Sequence, residues 1–391
     1  MDEKRIEGLA EGCPCCPPAS LFRRSRRRAL RAIGGGLAAA AIGGLAAAQS
    51  RRPMRPLAAE DGESAGRLPM VDFHTHLQKR VAADGLISRM NSAAVARLVL
   101  MPLYYRDGGG AVNDGEGSDE QAAEYARRYP DRFVPFVGMQ RPELNGSDVI
   151  GKPTDTGRKL LRETEAKLRS GEFFGMGEFM LRFYPYTNRF GIVATLERDY
   201  PADGWFMRQC ADLSARHKVP MCFHAEAEPH VGAAVLRLVE SNPDAIFIWA
   251  HNCGRSSAIA IDAMFQRFPN LYADLGGMVY SGVNVEHYGV YWPRRTPYMH
   301  LVVDEGGRLV PEMKNVLEKW SDRYVTGTDI AHARVYERYI PHIPRWRYVL
   351  SQLSPLAARN IAFATANRLF RLTVAGRQRF PAIDATMTMQ G

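Results

Sequence analysis

From Met70 onward, short runs of β-branched, aromatic and aliphatic residues alternate with longer stretches in which apolar side chains recur at helical spacing. The short runs are 70–76, 96–103, 133–139, 173–179, 219–226, 246–253, 271–277 and 324–330, and each is expected to be a strand. Between them, 118–129 and 158–170 read as helices, and 204–217 places Phe206, Cys210 and Leu213 at helical spacing. Ser354-Pro355 offers an N-cap and a first-turn proline for a last helix reaching about Leu372. Strand then helix, eight times over roughly 300 residues, predicts an α/β fold of the (β/α)8 TIM-barrel type. An open doubly wound sheet would carry a Gly-rich phosphate turn after its first strand, and none follows 70–76. The longest connection, from Met278 to about Arg323, holds Tyr280, His287, Tyr288, Tyr291, Trp292, Tyr298 and His300, with a hairpin turn expected at Asp304-Glu305-Gly306-Gly307. An aromatic loop after the seventh strand is a candidate substrate wall or an interface.

Charge changes the picture mainly at the N-terminus. The formal net charge is +9, but residues 1–48 hold eight Lys or Arg against four Asp or Glu, so the remainder is only mildly basic. No finger, helix-turn-helix or RNA-recognition pattern accompanies it, and nucleic acid is not an expected partner. Ser25-Arg26-Arg27-Arg28-Ala29-Leu30-Arg31 precedes an uncharged Gly/Ala-rich run, 32–48. This resembles a twin-arginine export signal, with Ala29 where Phe is usual, and implies the twin-arginine translocation machinery as a partner and a periplasmic destination. Cleavage is expected after Ala48; left uncleaved, the segment would act as a membrane anchor. The expected organisation is therefore a signal peptide at 1–48, a linker at 49–69 rich in Arg, Pro and Ala, and a barrel with its tail at 70–391. Cys13, Cys15 and Cys16 would leave with the signal, so Cys210, Cys222 and Cys253 stay behind, an odd number that excludes a dense disulfide framework.

The candidate chemistry collects at strand ends. In Asp72-Phe73-His74-Thr75-His76, alternation sends His74 and His76 to one face, ~6.5–7 Å apart along the strand, with Asp72 a layer deeper. The fourth run ends in Gly175-Met176-Gly177-Glu178, the fifth carries His224, the sixth His251 and the eighth Asp329. In a barrel such ends converge at one mouth. Imidazoles and carboxylates gathered there suit a divalent ion of the zinc type, and a position left to water makes such a site catalytic.

These residues resemble the amidohydrolase superfamily, most closely the amidohydrolase-related branch that includes aminocarboxymuconate-semialdehyde decarboxylase. The resemblance spans about 70–372 and is carried by Asp72 to His76, Gly175 to Glu178, the His224 strand, Ala250-His251-Asn252-Cys253-Gly254, Asn270-Leu271-Tyr272-Ala273-Asp274, Gly327-Thr328-Asp329 and Arg368-Leu369-Phe370. Ile330-Ala331 departs from the proline frequent after the last Asp, and Ala364-Thr365 from the common Gly-Asn. The resemblance implies that His74, His76, His224 and Asp329 ligate one divalent metal, zinc first. Glu178 would be either a further ligand bridging to a second ion or an orienting residue behind a histidine. It also implies that Asp329 accepts a proton from an activated water and that His251 polarises the substrate or moves a proton.

The activity implied is hydrolysis of a small ester, lactone or amide, with nonoxidative decarboxylation of a small carboxylic acid as the alternative and an inactive metal-binding module as the second. A homodimer is the assembly the resemblance suggests. Recognition of the small-molecule substrate falls to Tyr104, Tyr105, Arg106, Arg182, Phe183, Tyr184, Tyr186, Arg255 and Arg334, which follow strands and could grip an anion or line an apolar pocket. A nucleophilic role for Cys253 is superfluous beside a metal-activated water.

Overall fold

The computed structural model describes residues 68–104, 117–184, 197–279, 300–304, 306–330 and 339–371, together with Tyr336 and the two-residue strands at 186–187 and 193–194. The segment expected to be an export signal, Cys13, Cys15, Cys16, most of the expected linker, Tyr105, Arg106, most of the aromatic loop, Arg334 and the C-terminal tail lie outside them, as does the side chain of Tyr186.

Eight parallel strands form the inner ring. They are β1 (Met70–Asp72, resuming at His76–Leu77), β2 (Val95–Pro102), β3 (Phe133–Pro135 and Val137–Gly138), β4 (Met176–Phe183), β5 (Pro220–Ala225), β6 (Ile246–Trp249), β7 (Leu271–Asp274) and β8 (Tyr324–Val325). Each pairs in parallel with the next, from β1·β2 through β7·β8. The ring closes where the Phe73 amide donates to the Thr326 carbonyl (3.0 Å), the His76 amide donates to that of Ile330 (2.9 Å), and Thr75 bridges Ile330. A closed ring of eight parallel strands with intervening helices is a (β/α)8 barrel, as the alternation of apolar runs predicts.

The outer helices are α1 (Ala83–Ser92), α2 (Asp119–Arg128), α3 (Asp155–Ser170), α4 (Trp205–His217), α5 (Pro229–Ser241), α6 (Ala258–Arg267), α7 (Pro311–Lys319) and α8 (Tyr339–Ser351). Their starts follow from sequence. The side chains of Ser118, Thr154 and Ser257 accept the amides of Gln121, Gly157 and Ala260, and prolines open α5 and α7. One stripe of each amphipathic helix faces the strands, such as Gly157, Leu160, Thr164 and Leu168 on α3. Ser354 caps a final helical segment at Pro355, and in it Leu369 and Phe370 are buried. The Phe370 ring stacks on Phe73 at 5.9 Å, which explains the Arg-Leu-Phe motif as packing beneath β1.

Several boundaries differ from expectation. The fourth strand begins at Met176 instead of Phe173, and the eighth is only Tyr324–Val325. The sixth stops at Trp249, because His251, Asn252, Cys253, Gly254 and Arg255 all take positive φ, between 54° and 66°, a left-handed turn that ends pairing. The connection after β7 contains helix α7, whose Met313, Val316 and Leu317 are buried. The hairpin turn within it is present: Val303 bridges Leu309, and the Asp304 carboxylate accepts the amides of Gly306 (2.8 Å) and Arg308 (2.9 Å).

Candidate metal centre at the barrel mouth

The interior of β4 supplies Glu178, and the other strands, at or near their C-terminal ends, bring His74, His76, His224, His251 and Asp329 to it; all but Asp329 are nearly inaccessible to solvent. His74 and His76 approach through their Nε2 atoms (3.2 Å). Each Nε2 is 3.5 Å from Glu178 Oε2, and Asp329 Oδ1 is 3.5 Å from that of His74 and 3.4 Å from that of His76. On the far side of the same carboxylate, Glu178 Oε1 is 3.4 Å from His224 Nδ1 and 3.3 Å from His251 Nε2. Those two nitrogens are 2.8 Å apart. Glu178 thus divides two groups whose ligand atoms lie within 4.8 Å of one another: His74, His76 and Asp329 in one, and Glu178 itself with His224 and His251 in the other.

Proton positions follow from what stands behind each ring. His251 Nδ1 faces the carbonyl of Gly276 at 2.8 Å, a group that can only accept, so Nδ1 carries a proton. His224 Nε2 faces Glu226 Oε1 at 3.0 Å, and Glu226 is also ion-paired to the buried Arg255, so the proton lies on Nε2. His74 Nδ1 faces Asp274 Oδ2 at 3.1 Å. In their neutral forms His74, His224 and His251 therefore turn lone pairs towards Glu178. While those rings are neutral, Glu178 Oε1 receives no hydrogen bond from the described residues, because the nitrogens of His224 and His251 that face it carry lone pairs. Buried acceptors that converge without donors need a cation or extra protons between them. The donor set, imidazole and carboxylate, fits a zinc-like divalent ion.

The electrostatics agree. Burial alone would lower the pKa of His74, but the charges of Asp274 and Glu178 reverse this and raise it well above its usual value. Burial likewise opposes ionisation of Glu178 and is outweighed by the charge of His74 and by bonds that His224 and His251 donate when protonated, which hold it well below the carboxylate range. Asp329 is held at about 2, burial being overcome by the bond to His76 and the charges of His74 and His251. Without a metal, the neighbouring carboxylates favour the protonated forms of His74, His76 and His224.

Supporting residues set this arrangement. Gln140, two residues past the end of β3, donates to Glu178 Oε2 at 2.8 Å. Asp72 does not face the cluster directly; its carboxylate accepts from the amide (2.9 Å) and hydroxyl (2.8 Å) of Thr328, and so fixes the segment leading into Asp329. Asp329 has a positive φ of 56°, and its amide donates to the His74 carbonyl at 2.8 Å. Gly254 is required by the close passage of its backbone against Ala225 and Ala227 as well as by its φ of +64°.

Gln140, Glu226 and Asp274 are the site residues to which sequence reasoning assigned no role. Each is a polar residue at or just past the end of an apolar run, the same signal that marked the histidines. Of the expected recognition residues, Arg182 is engaged by Glu228 (2.7 Å) and Glu197 (2.7 Å), Tyr184 bonds Glu228, and Arg255 pairs with Glu226. Phe183 packs edge-on against His224, with ring centroids 5.4 Å apart. Tyr104 lies under the Arg141 guanidinium, 3.9 Å from its ring centroid. Burial pushes the thiol of Cys253 well above its usual pKa, which removes it as a nucleophile. Cys210, Cys222 and Cys253 are all free and buried.

No family model matches the chain, and no curated protein matches it. Among solved structures, it is similar to an uncharacterised TIM-barrel protein from Bordetella bronchiseptica, at 14% identity over 78% of this chain and 99% of that one, with a TM-score of 0.47. It is also similar to a 2,6-dihydroxybenzoate decarboxylase complexed with 2,6-dihydroxybenzoate (12% identity, 78% and 98% covered, TM-score 0.45). A third is an amidohydrolase from Burkholderia multivorans with bound zinc (13% identity, 77% and 99% covered, TM-score 0.42). The barrel here rests on its own hydrogen-bonded ring, and its chemistry on the side chains in the mouth.

Proposed function

We propose that the protein is an exported metal-dependent hydrolase of a small ester, lactone or amide, with two divalent ions, zinc first, on either side of Glu178. The observation that carries the proposal is the convergence of histidine lone pairs on the two oxygens of one buried carboxylate. His74, His76 and Asp329 would hold one ion, His224 and His251 the other, and Glu178 both. Ions so held supply Lewis-acid activation of a water and of the substrate's carbonyl.

The chain's own residues do the rest. Asp329 is the most exposed of the set, at 18%, and is ionised throughout the neutral range, so it is the group able to take a proton from the attacking water. Gln140 keeps Glu178 from rotating. His251, whose Nδ1 proton is committed to Gly276, serves as a ligand in the two-ion arrangement and as a proton-transfer group if only one ion binds.

Metal analysis of the purified protein tests this: two zinc equivalents are expected, one would return His251 to proton transfer, and none after gentle purification would refute the reading. Ester, lactone and amide panels should be turned over and lose activity on chelation. Carbon dioxide released from carboxylated aromatic acids, without ester or lactone turnover, would reassign the reaction as decarboxylation. Export is tested by fusing residues 1–52 to a reporter active only after folded translocation; Arg26→Lys with Arg27→Lys should abolish the signal.

A further inference from the structure

We infer that Asp274 is a positioning residue for both ion positions, fixing which nitrogen of His74 is free directly and doing the same for His251 through the backbone of Gly276. The inference rests on the two-ion reading above. Asp274 ends β7 and is fully buried. Its Oδ2 accepts from His74 Nδ1 (3.1 Å) and from the Cys222 thiol (3.6 Å). Its Oδ1 accepts from the amides of Gly276 (2.7 Å) and His251 (3.4 Å). Among the described residues, the four groups bonded to this carboxylate are donors, the environment of an ionised, acceptor-only group.

On one side, this puts the His74 proton on Nδ1 and turns Nε2 towards His76, Glu178 and Asp329. On the other, Gly276, which Asp274 holds through its amide, presents its carbonyl to His251 Nδ1 at 2.8 Å, which turns His251 Nε2 towards Glu178. A side chain at 276 would fall 2.8 Å from Asp274 Oδ1 and 2.9 Å from His74 Nδ1, so Gly276 is wedged against both residues. His74, Cys222 and Asp274 also lie within ligand distance of one another. The His74 and Cys222 protons fill that space, which makes the trio a hydrogen-bonded support and not a third ion position.

Asp274→Asn and Asp274→Ala separate the two effects. In Asp274→Asn the amide oxygen can still accept from Gly276, while its NH2 donates to His74 Nδ1 and drives the His74 proton to Nε2, into the ion position. Metal-free full-length protein titrated with Co2+, followed by visible absorption, should bind two equivalents in the wild type. Asp274→Asn should weaken one position by ~10–100-fold, the usual effect of losing a partner behind a ligand, and keep the other. Asp274→Ala should weaken both. Selective 15N-histidine spectra of the same proteins should lose the protonated Nδ1 of His74 in Asp274→Asn and retain that of His251, a change that a merely structural residue would not produce. Two equivalents bound by Asp274→Asn with wild-type affinity and an unchanged His74 signal would overturn the inference. A wild type that binds fewer than two ions would instead refute the two-ion reading, and the His74 Nδ1 proton in Asp274→Asn would then decide the inference alone.

Discussion

Glu226→Gln isolates the charge behind His224. Glu226 Oε1 accepts from both His224 Nε2 and Arg255, and glutamine keeps an oxygen of the same shape there, so the substitution removes a charge and preserves the hydrogen-bond pattern. Burial opposes ionisation of Glu226, yet the charge of Arg255 and the bond from His224 hold it at about 2, against an ordinary 4.5. That difference corresponds to about 3 kcal/mol, the low end of the ~3–5 kcal/mol that breaking a buried pair costs. Thermal or urea unfolding at neutral pH should register it, with a fall in Tm of up to roughly 10 °C for a domain of this size. A carboxylate with a lowered folded pKa stabilises fully above its unfolded value and loses that contribution as pH falls towards its folded one. The gap between wild type and variant should therefore be complete above pH 4.5 and close towards pH 2. Replacing both partners, as Glu226→Leu with Arg255→Met, should recover most of the stability, since an apolar pair avoids desolvation. Equal stabilities at neutral pH, or a gap indifferent to pH, would refute the assignment of this charge to the Arg255 pair.

Three further outcomes follow from the same geometry. Gly276→Ala forces a methyl against Asp274 and His74, so it should cost ~1–3 kcal/mol and weaken metal binding; Gly232→Ala on α5, whose nearest neighbour would be Trp249 at 4.0 Å, should be tolerated in the same melts. Asp329→Asn retains the shape and loses the proton acceptor, so hydrolysis should fall ~10²–10⁴-fold with zinc content measured alongside, and undiminished turnover would exclude Asp329 from proton transfer. Because His74 is raised well above its usual pKa in the metal-free protein, zinc uptake at neutral pH should release protons and weaken as pH falls, which calorimetry in buffers of different ionisation enthalpy would detect.

The barrel was legible because each strand is a compact apolar run and each helix a periodic one, and two periods that different cannot be exchanged. What escaped was geometry imposed by the ring after the strands end. Nothing in Ala250-His251-Asn252-Cys253 marks a left-handed turn except the glycine that follows; its energetic cost, ~1–2 kcal/mol for each non-glycine residue, is borne because the turn brings His251 to Gly276 and Arg255 to Glu226. Helix α7 is hard to see in the sequence for a simpler reason. It follows a long aromatic stretch, and only Val310-Pro311 announces its start.

The candidate site was legible as a set of residues and not as a pairing. Four histidines with two carboxylates can surround one ion or flank a carboxylate between two, and sequence supplies only their strand ends. The choice depends on which nitrogen of each ring is free, and that is decided by an acceptor supplied from elsewhere: Asp274 stands 200 positions from His74, and Gly276 25 from His251. His224 shows the consequence most clearly. Had Glu226 stood behind Nδ1, Nε2 would be the free nitrogen; with Glu226 behind Nε2, Nδ1 is turned to Glu178 and His251, away from the group formed by His74, His76 and Asp329. One carboxylate just past the end of the same strand thus decides which group of ligand atoms His224 joins.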